Sequence, residues 1–274
     1  MVGRLASILA ALLQFLRSPA PPHARLPFPA LRNIILDVLA EGRQKNLIHL
    51  LFEADVTAAR TRLAREGQRV SFTAFVAKAF ADAVDEDRSV QACRRGSQLV
   101  VFADVDLCAM VECEVEGATL PLRYIVRAAN RKDAAAIDAE LQAAKGGRGC
   151  LSKLERDFFS LPAPVRRLFW SLIRRDPALT KELMGTVGVT SMGMFAAGPA
   201  VVIPISPMTL TLSIGGIERR VVLEEGRPVE RERVRLNLTA DHDVLDGAPL
   251  MRFADRFRQR LEEDRAPAAA PPSR

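Results

Sequence analysis

The chain contains 274 residues, 49% of them hydrophobic and 26% charged. Such a composition is that of a packed globular protein, and it excludes a disordered or collagen-like chain. The 39 Lys and Arg residues exceed the 33 Asp and Glu residues, which gives a formal net charge of +6. An excess of this size keeps a protein soluble and also suits an anionic ligand.

Cysteine and histidine are too few and too scattered for a zinc framework, so we expect no metal site. The four cysteines are Cys93, Cys108, Cys113 and Cys150, without a Cys-x-x-Cys pair, and the chain has three histidines. We expect reduced thiols and a cytoplasmic protein. No apolar run approaches the roughly 20 residues that span a bilayer, and no nucleic-acid partner is expected.

The two ends of the chain are predicted to lie outside the folded domain. Residues 1–18 indicate an amphipathic helix that docks on the protein or on a partner, and weak contact with a membrane is an alternative. The same stretch fits a secretory signal peptide only loosely, because the cleavage pattern after it is poor. Proline-rich residues 19–28 predict a linker, so the segment 1–28 precedes a domain at 29–264, and 265–274 is expected to be a disordered tail.

Helices and strands alternate in the first part of this domain. Ser71 is placed to cap a helix whose apolar residues recur at helical spacing. The other predictions, in chain order, are a helix at 31–39, a strand at 48–56, a short helix through residue 65, two or three strands within 99–126, a helix at 131–145 that stops at Gly146-Gly147, and further helices within 150–184.

The last third of the domain is predicted to be rich in strands and to end in a helix. Strands are expected at 187–192, 200–205, 209–217, 219–225 and 234–242, with a turn at Gly226. One stripe of a helix over 247–263 is formed by Leu250, Phe253, Phe257 and Leu261. This order of elements favours an α/β fold in which one large mixed sheet is covered by helices.

One short segment carries groups suited to catalysis. His242 follows the last strand, and Asp246-Gly247 opens the final helix. An imidazole is the side chain best suited to general-base work near neutral pH, and a carboxylate four residues later can hold it in place. The alternatives are that His242 is a buried strand-end residue, Asp246 only an N-cap and Gly247 only a helix-start residue.

Residues 240–262, ADHDVLDGAPLMRFADRFRQRLE, resemble the terminal motif of the dihydrolipoyl acyltransferases, which form the cores of 2-oxo acid dehydrogenase complexes. The family writes this motif as Asp-His-Arg-x-x-Asp-Gly, followed by a small residue and a helix that carries Arg-Phe. Earlier segments resemble the family in the same order, so that the likeness covers about residues 27–145 and 185–264; they include NLIHLLFEADVTAARTRL, VSFTAFVAKAFADAV and GTVGVTSMGMFAAGPAVVIPISPMTLTLSIGGI. The resemblance implies a two-layer α/β sandwich like that of chloramphenicol acetyltransferase.

The chemistry that this resemblance implies is transfer of an acyl group between coenzyme A, as a substrate, and a thiol, usually that of a dihydrolipoyl group. His242 would remove the proton of the attacking thiol. The hydroxyl of Thr190 would stabilise the tetrahedral oxyanion, and Ser191 lies beside it in the sequence. Because neighbouring strand residues face opposite sides, only one of these two hydroxyls serves, and Thr190 is the expected one.

Support of the site and the assembly also follow from the resemblance. Asp246 would pair with Arg32 and, together with Gly247, brace the histidine loop. In the family the histidine and the oxyanion hydroxyl come from neighbouring subunits of a trimer. A homotrimer is therefore expected, and a monomer would be inactive.

Departures from the family pattern leave alternatives open. Asp243 replaces the arginine after the histidine, with a raised pKa of His242 or an altered substrate contact as the expected effect. No covalently bound lipoyl group is expected, so a lipoyl-domain protein would act in trans. Residues 146–184 are a helical insertion that would cover the channel or enlarge the trimer contact, and the C-terminal sequence predicts an isolated trimer. The remaining alternatives are a weak or inactive trimeric scaffold and an acetylator of a small molecule.

Overall fold

The computed structural model describes residues 32–263, apart from 66, 68–69, 116–117, 146–152 and 193–197, together with isolated positions before residue 32. The predictions for the N-terminal helix, the proline-rich linker and the C-terminal tail therefore fall outside the described residues, isolated positions excepted.

The described helices are α1 Arg32–Gly42, α2 Thr57–Arg65, α3 Phe72–Glu86, α4 Ala134–Lys145, α5 Lys153–Ser160, α6 Ala163–Arg175, α7 Pro177–Met184 and α8 Gly247–Glu262. The described strands are β1 Leu47–Asp55, β2 Cys93–Arg95, β3 Gln98–Val100, β4 Leu107–Val115, β5 Ala118–Val126, β6 Val187–Ser191, β7 Leu210–Glu224 and β8 Arg227–Asp241. Short 3₁₀ turns follow α3 and β5.

A six-stranded mixed sheet forms the centre of the fold, in the order β1-β8-β7-β6-β4-β5. Strand β6 runs parallel to both β4 and β7, whereas the other neighbours are antiparallel. Helices α3 and α8 pack together through fully buried Phe80, Phe253 and Phe257, with Phe80 meeting both partners edge to face. The predicted α/β fold with one large mixed sheet covered by helices is confirmed.

Local sequence signals placed several elements correctly. Ser71 caps α3, because its hydroxyl accepts a hydrogen bond of 3.2 Å from the backbone N–H of Ala74. The predicted stripe of α8 is buried along its whole length. Glu225 and Gly226 both have positive φ angles, 49° and 77°, as a two-residue hairpin turn between β7 and β8 requires.

Two strand predictions in the last third are wrong. Residues 209–217 and 219–225 belong to one strand, β7, whose register shifts between Ile214 and Ile217. Residues 200–205 are irregular, and this segment lies on β7 so closely that a Cβ atom at Gly215 would be 2.4 Å from the carbonyl oxygen of Ala200. The glycine thus permits a backbone contact that the alternation of apolar residues did not reveal.

Helix α6, in the predicted insertion, is anchored to α1 by ion pairs. The guanidinium of Arg166 contacts the carboxylate of Asp37 at 2.7 Å, and only 6% and 9% of the two side chains are exposed. Arg174 pairs with Glu41 at 2.5 Å one turn further along α1. Helix α6 of the predicted insertion therefore holds α1 in place.

Replacing Arg166 by methionine should lower the free energy of unfolding by about 3 kcal/mol or more, because the carboxylate of Asp37 stays buried without its partner. Urea denaturation measures this loss. Arg167→Met, an exposed neighbour on the same helix, is the matched control and should change the free energy little. A double variant, Asp37→Leu with Arg166→Met, should recover part of the loss; equal effects of the Arg166 and Arg167 changes would contradict the anchoring role.

The cysteines differ in state from the prediction. Cys113 is disulfide-bonded, so the expectation of reduced thiols is wrong for this residue. Cys93 and Cys108 are free and buried. Burial raises the pKa of Cys108 to about 11 and also raises the pKa of Cys93 above its ordinary value. Neither free thiol is therefore suited to act as a nucleophile.

Candidate functional site

His242 lies at the surface, directly after β8. Its backbone N–H donates to the carbonyl oxygen of Asn46, just before β1, at 2.7 Å. The side chain is 47% exposed, and its Nδ1 is 3.3 Å from an oxygen of Asp246. His242 is thus not a buried strand-end residue, and its ring is open to a substrate.

The turn that carries His242 is closed by the residue before it. The carbonyl oxygen of Asp241 accepts hydrogen bonds of 3.0 Å from the backbone N–H groups of both Val244 and Leu245. The buried carboxylate of Asp241 accepts from Lys45 at 2.6 Å and from the backbone N–H of Asp243 at 3.2 Å. These bonds fix the backbone on both sides of the imidazole.

Asp246 occupies the N-cap position of α8, but its side chain makes no capping hydrogen bond. The carboxylate faces the imidazole of His242 instead, which is the contact that the four-residue spacing predicted. Gly247 has no positive φ angle, and a Cβ atom there would meet nothing within 4 Å in the described part of the chain. No local strain therefore explains a glycine at this position.

The carboxylate of Asp243 turns towards β1 and β2. It accepts hydrogen bonds from the side-chain amide of Asn46 at 2.8 Å and from Arg94 at 3.2 Å. The hydrogen bond from Asn46, together with the charge of Arg94, lowers the pKa of Asp243 from its ordinary value. Asp243 is therefore a charged member of a polar cluster around the histidine turn.

Arg32 is exposed at the start of α1, and its backbone N–H donates to the carbonyl oxygen of Pro29 at 3.0 Å. Among the ion pairs between described residues, none joins Arg32 to Asp246. The role of Arg32 in bracing the histidine loop stays a prediction.

Thr190 and Ser191 lie on opposite faces of β6, as strand geometry requires. Thr190 lines a mainly apolar cavity of about 270 Å³ between α1, β4 and the segment 202–208. Ser191 points to the other face, where its hydroxyl is 3.1 Å from that of Thr73 on α3. Of the two hydroxyls, that of Thr190 lines the cavity beside α1, and that of Ser191 has a partner on α3.

One chain does not bring His242 and Thr190 together. Thr190 pairs with Ser213 on β7, and Ser213 pairs with Asn237 on β8. His242 is five residues after Asn237, so it lies two strands away from Thr190 and five residues further along the strand direction. From the spacings of residues and strands, the two Cα atoms are roughly 15–20 Å apart.

Lys45, Asn46, Arg94 and Asp241 were not predicted from the sequence, although all four hold the histidine turn. The signal for Asp241 was its place next to the histidine at the end of a strand. Lys45 and Asn46 come from the loop before β1, and Arg94 comes from β2, so their places are found only once the strands are paired. Within the described residues, no group of His, Cys, Asp and Glu side chains could hold a metal ion, and no helix has the length and apolar character to cross a bilayer.

Comparison with known sequences bears on the C-terminal third in particular. A family model, 2-oxoacid dehydrogenases acyltransferase (catalytic domain), matches residues 174–268, which include the histidine turn. The chain is also 28% identical over 200 residues to the lipoamide acyltransferase component of the branched-chain alpha-keto acid dehydrogenase complex of Bacillus subtilis. This alignment covers 72% of the chain but only 40% of that relative.

Solved structures share the fold along nearly the whole chain. A probable dihydrolipoamide acetyltransferase from Listeria monocytogenes has a TM-score of 0.70 at 20% identity and covers 92% of this chain and 99% of its own. The dihydrolipoamide acetyltransferase of Azotobacter vinelandii, studied for the role of a serine, a histidine and an asparagine in its catalytic mechanism, has a TM-score of 0.67 at 17% identity, with 90% and 98% covered. At these identities the structures show the likeness in fold, and the family model and the Bacillus relative confirm the predicted family resemblance.

Proposed function

Because the chain is a relative of the catalytic domain of 2-oxo acid dehydrogenase acyltransferases, we propose that it transfers an acyl group between coenzyme A and a thiol, with the dihydrolipoyl group supplied by another protein. The observation that carries the proposal is the exposed His242 on a fixed turn, with Asp246 facing its Nδ1. This turn lies within the segment that matches the family model. The prediction of an acyltransferase agrees with the names of the relatives.

The contact between His242 and Asp246 supports a role as general base. A carboxylate only accepts hydrogen bonds, so its place beside Nδ1 favours the tautomer with the proton on Nδ1 and a free lone pair on Nε2. A thiol with a pKa near roughly 8.5 is mostly protonated at neutral pH. Removal of its proton by Nε2 therefore raises the concentration of the attacking thiolate.

The proposed reaction exchanges one carbon–sulfur bond for another and returns the proton that the histidine removed. The thiolate attacks the carbonyl carbon of the thioester and forms a carbon–sulfur bond, which places a negative charge on the carbonyl oxygen. When this intermediate collapses, the bond to the leaving sulfur breaks, and the leaving thiolate takes the proton back from Nε2. The enzyme ends the cycle with a neutral imidazole.

The Thr190 hydroxyl is the proposed donor to the oxyanion, and it would come from a neighbouring chain of a homotrimer. Its roughly 15–20 Å separation from His242 within one chain is too long for both to contact one carbonyl group. Around the Thr190 cavity, large apolar side chains are exposed at Met192, Val202, Ile203 and Ile205. A neighbouring chain that covers them would bury apolar surface and bring its histidine to the cavity.

The test of this function is a panel of acyl-CoA thioesters offered with free dihydrolipoamide, with release of the coenzyme A thiol measured over time. We expect turnover of at least one thioester above the uncatalysed rate, in both directions of transfer. Absence of turnover across the panel, with a correctly folded trimer, would contradict an acyltransferase and favour the scaffold alternative.

Replacing Thr190 by valine should lower the turnover number about a hundredfold to a thousandfold, because valine has a side chain of the same shape but lacks the hydroxyl that donates to the oxyanion. Thr190→Ser keeps the hydroxyl and should retain most of the activity. Ser191→Ala removes the hydroxyl on the opposite face and is the matched control. Equal losses in the Thr190→Val and Ser191→Ala variants would show that neither hydroxyl acts on the oxyanion.

A further inference from the structure

A second cavity, of about 480 Å³, lies beside the histidine turn. It is bounded by the β2–β3 hairpin, by residues 241 and 243 of the turn, and by helices α6 and α7 of the insertion. His242 itself is not among the lining residues. The volume is within the range of sites that hold small molecules.

All but one of the positively charged side chains that line this cavity are paired with a carboxylate. Three lining cations each contact a lining carboxylate: Lys45 with Asp241, Arg94 with Asp243, and Arg174 with Glu41. The fourth, Arg95, donates to the hydroxyl of Thr180 and to the carbonyl oxygen of Arg94, both at 2.9 Å. No carboxylate of the described residues pairs with it, so the lining has one uncompensated positive charge.

Three residues that line the cavity each have one buried polar atom without a hydrogen-bond partner among the described residues. These atoms are Nε of Arg95, Nε1 of Trp170 and Oε1 of Gln91. Gln91 is 1% exposed, and its amide nitrogen donates to the carbonyl oxygen of Phe102 at 3.0 Å, which leaves its oxygen as an acceptor. Buried polar groups are nearly always paired, and these three supply two donors and one acceptor.

We propose that this cavity binds a small amphipathic carboxylate that carries a hydrogen-bond donor next to its carboxyl group. Arg95 and the Trp170 N–H hold the carboxylate, and Gln91 accepts from the neighbouring hydroxyl or amide of the ligand. Ile173, Met184 and Met208 contact its apolar part.

A single uncompensated charge matches a carboxylate better than a doubly charged phosphate, because an excess negative charge would stay unpaired in a partly buried site. Trp170, Ile173 and Thr180 all belong to the insertion, so the binding site exists only because the insertion covers this side of the domain. The proposal is independent of acyl transfer, since it concerns binding alone.

Isothermal titration calorimetry of the full chain with 2-hydroxyhexanoate tests the site. The probe has a carboxylate, an adjacent hydroxyl and a four-carbon apolar chain. We expect saturable binding, about tenfold or more weaker for the neutral 2-hydroxyhexanamide, and weaker also for hexanoate, which lacks the hydroxyl. No saturable binding of 2-hydroxyhexanoate, or equal binding of the acid and the amide, would overturn the proposal.

Variants locate the binding in the cavity. Arg95→Met should weaken the affinity for 2-hydroxyhexanoate about tenfold to a hundredfold, and Trp170→Phe should weaken it less, because only a neutral donor is lost. Arg219→Met, an exposed arginine of β7, is the control and should leave the affinity unchanged. If Arg95→Met fails to fold, Trp170→Phe and the acid–amide comparison on the parent protein decide. If Arg95→Met leaves the affinity unchanged, the probe binds outside this cavity, and the proposal is contradicted. If coenzyme A displaces the probe and its own binding depends on Arg95 in the same way, the cavity is a coenzyme A site, which also contradicts the proposal.

Discussion

Replacing His242 by alanine should lower the rate of acyl transfer about a hundredfold to ten-thousandfold, because the proton of the attacking thiol loses its acceptor. The rate is measured as release of the coenzyme A thiol from an acyl-CoA with dihydrolipoamide as the acceptor. The variant should fold normally, since the side chain is half exposed and the turn is held by the carbonyl and carboxylate of Asp241.

Two further measurements separate a general base from a structural histidine. The rate of His242→Ala should rise about tenfold per pH unit towards the pKa of the thiol, near roughly 8.5, because solution now supplies the thiolate. His49→Gln is the matched control: this histidine lies on β1, with Nδ1 3.0 Å from the Thr239 hydroxyl, and its loss should leave turnover nearly unchanged. Equal rates for the parent protein and His242→Ala would rule out the proposed base.

The histidine turn could be read from the sequence because its parts are local. His242 and Asp246 are four residues apart at the end of a strand and the start of a helix, so their contact needs no knowledge of the rest of the fold. The same is true of the Ser71 cap and of the buried stripe on α8. Each of these features depends on residues that are close together in the sequence.

Contacts between distant elements were not accessible in this way. Lys45 reaches Asp241 only because the start of β1 pairs with the end of β8, with Leu47 opposite Asp241. The separation of Thr190 from His242 depends on β7 lying between β6 and β8, and chain order does not give that arrangement. Strand β7 itself was divided in two at Glu218, where its fully buried first half gives way to a second half with exposed residues.

The role of the predicted insertion, residues 146–184, could not be predicted from local sequence signals either. Its helices were expected to cover a channel or enlarge a trimer contact, and the sequence offered no way to choose. Arg166 buries an ion pair with Asp37 of α1, and Trp170, one turn later, lines the cavity beside the histidine turn. Two residues one turn apart on helix α6 thus serve stability and a candidate binding site, and only long-range packing reveals this.

Trimers that contain both His242→Ala and Thr190→Val chains should recover activity that neither variant has alone. In the proposed cyclic trimer each site would combine the histidine of one chain with the hydroxyl of the next. Any trimer that mixes the two variants then has about one intact site in three, whichever variant is in the majority. The expected turnover is about a third of the parent value, against a loss of a hundredfold or more for each variant by itself.

The mixed trimers are obtained by co-expressing the two variants with different affinity tags and purifying on both tags in turn. Chains with His242→Ala and His242→Gln, combined in the same way, provide the control, because no arrangement of them contains an intact base. Recovery only in the first combination requires that His242 and Thr190 act across an interface. If the mixed trimers are as inactive as their parents, a shared site is excluded, and the distance between the two residues within one chain would then argue against Thr190 as the oxyanion donor.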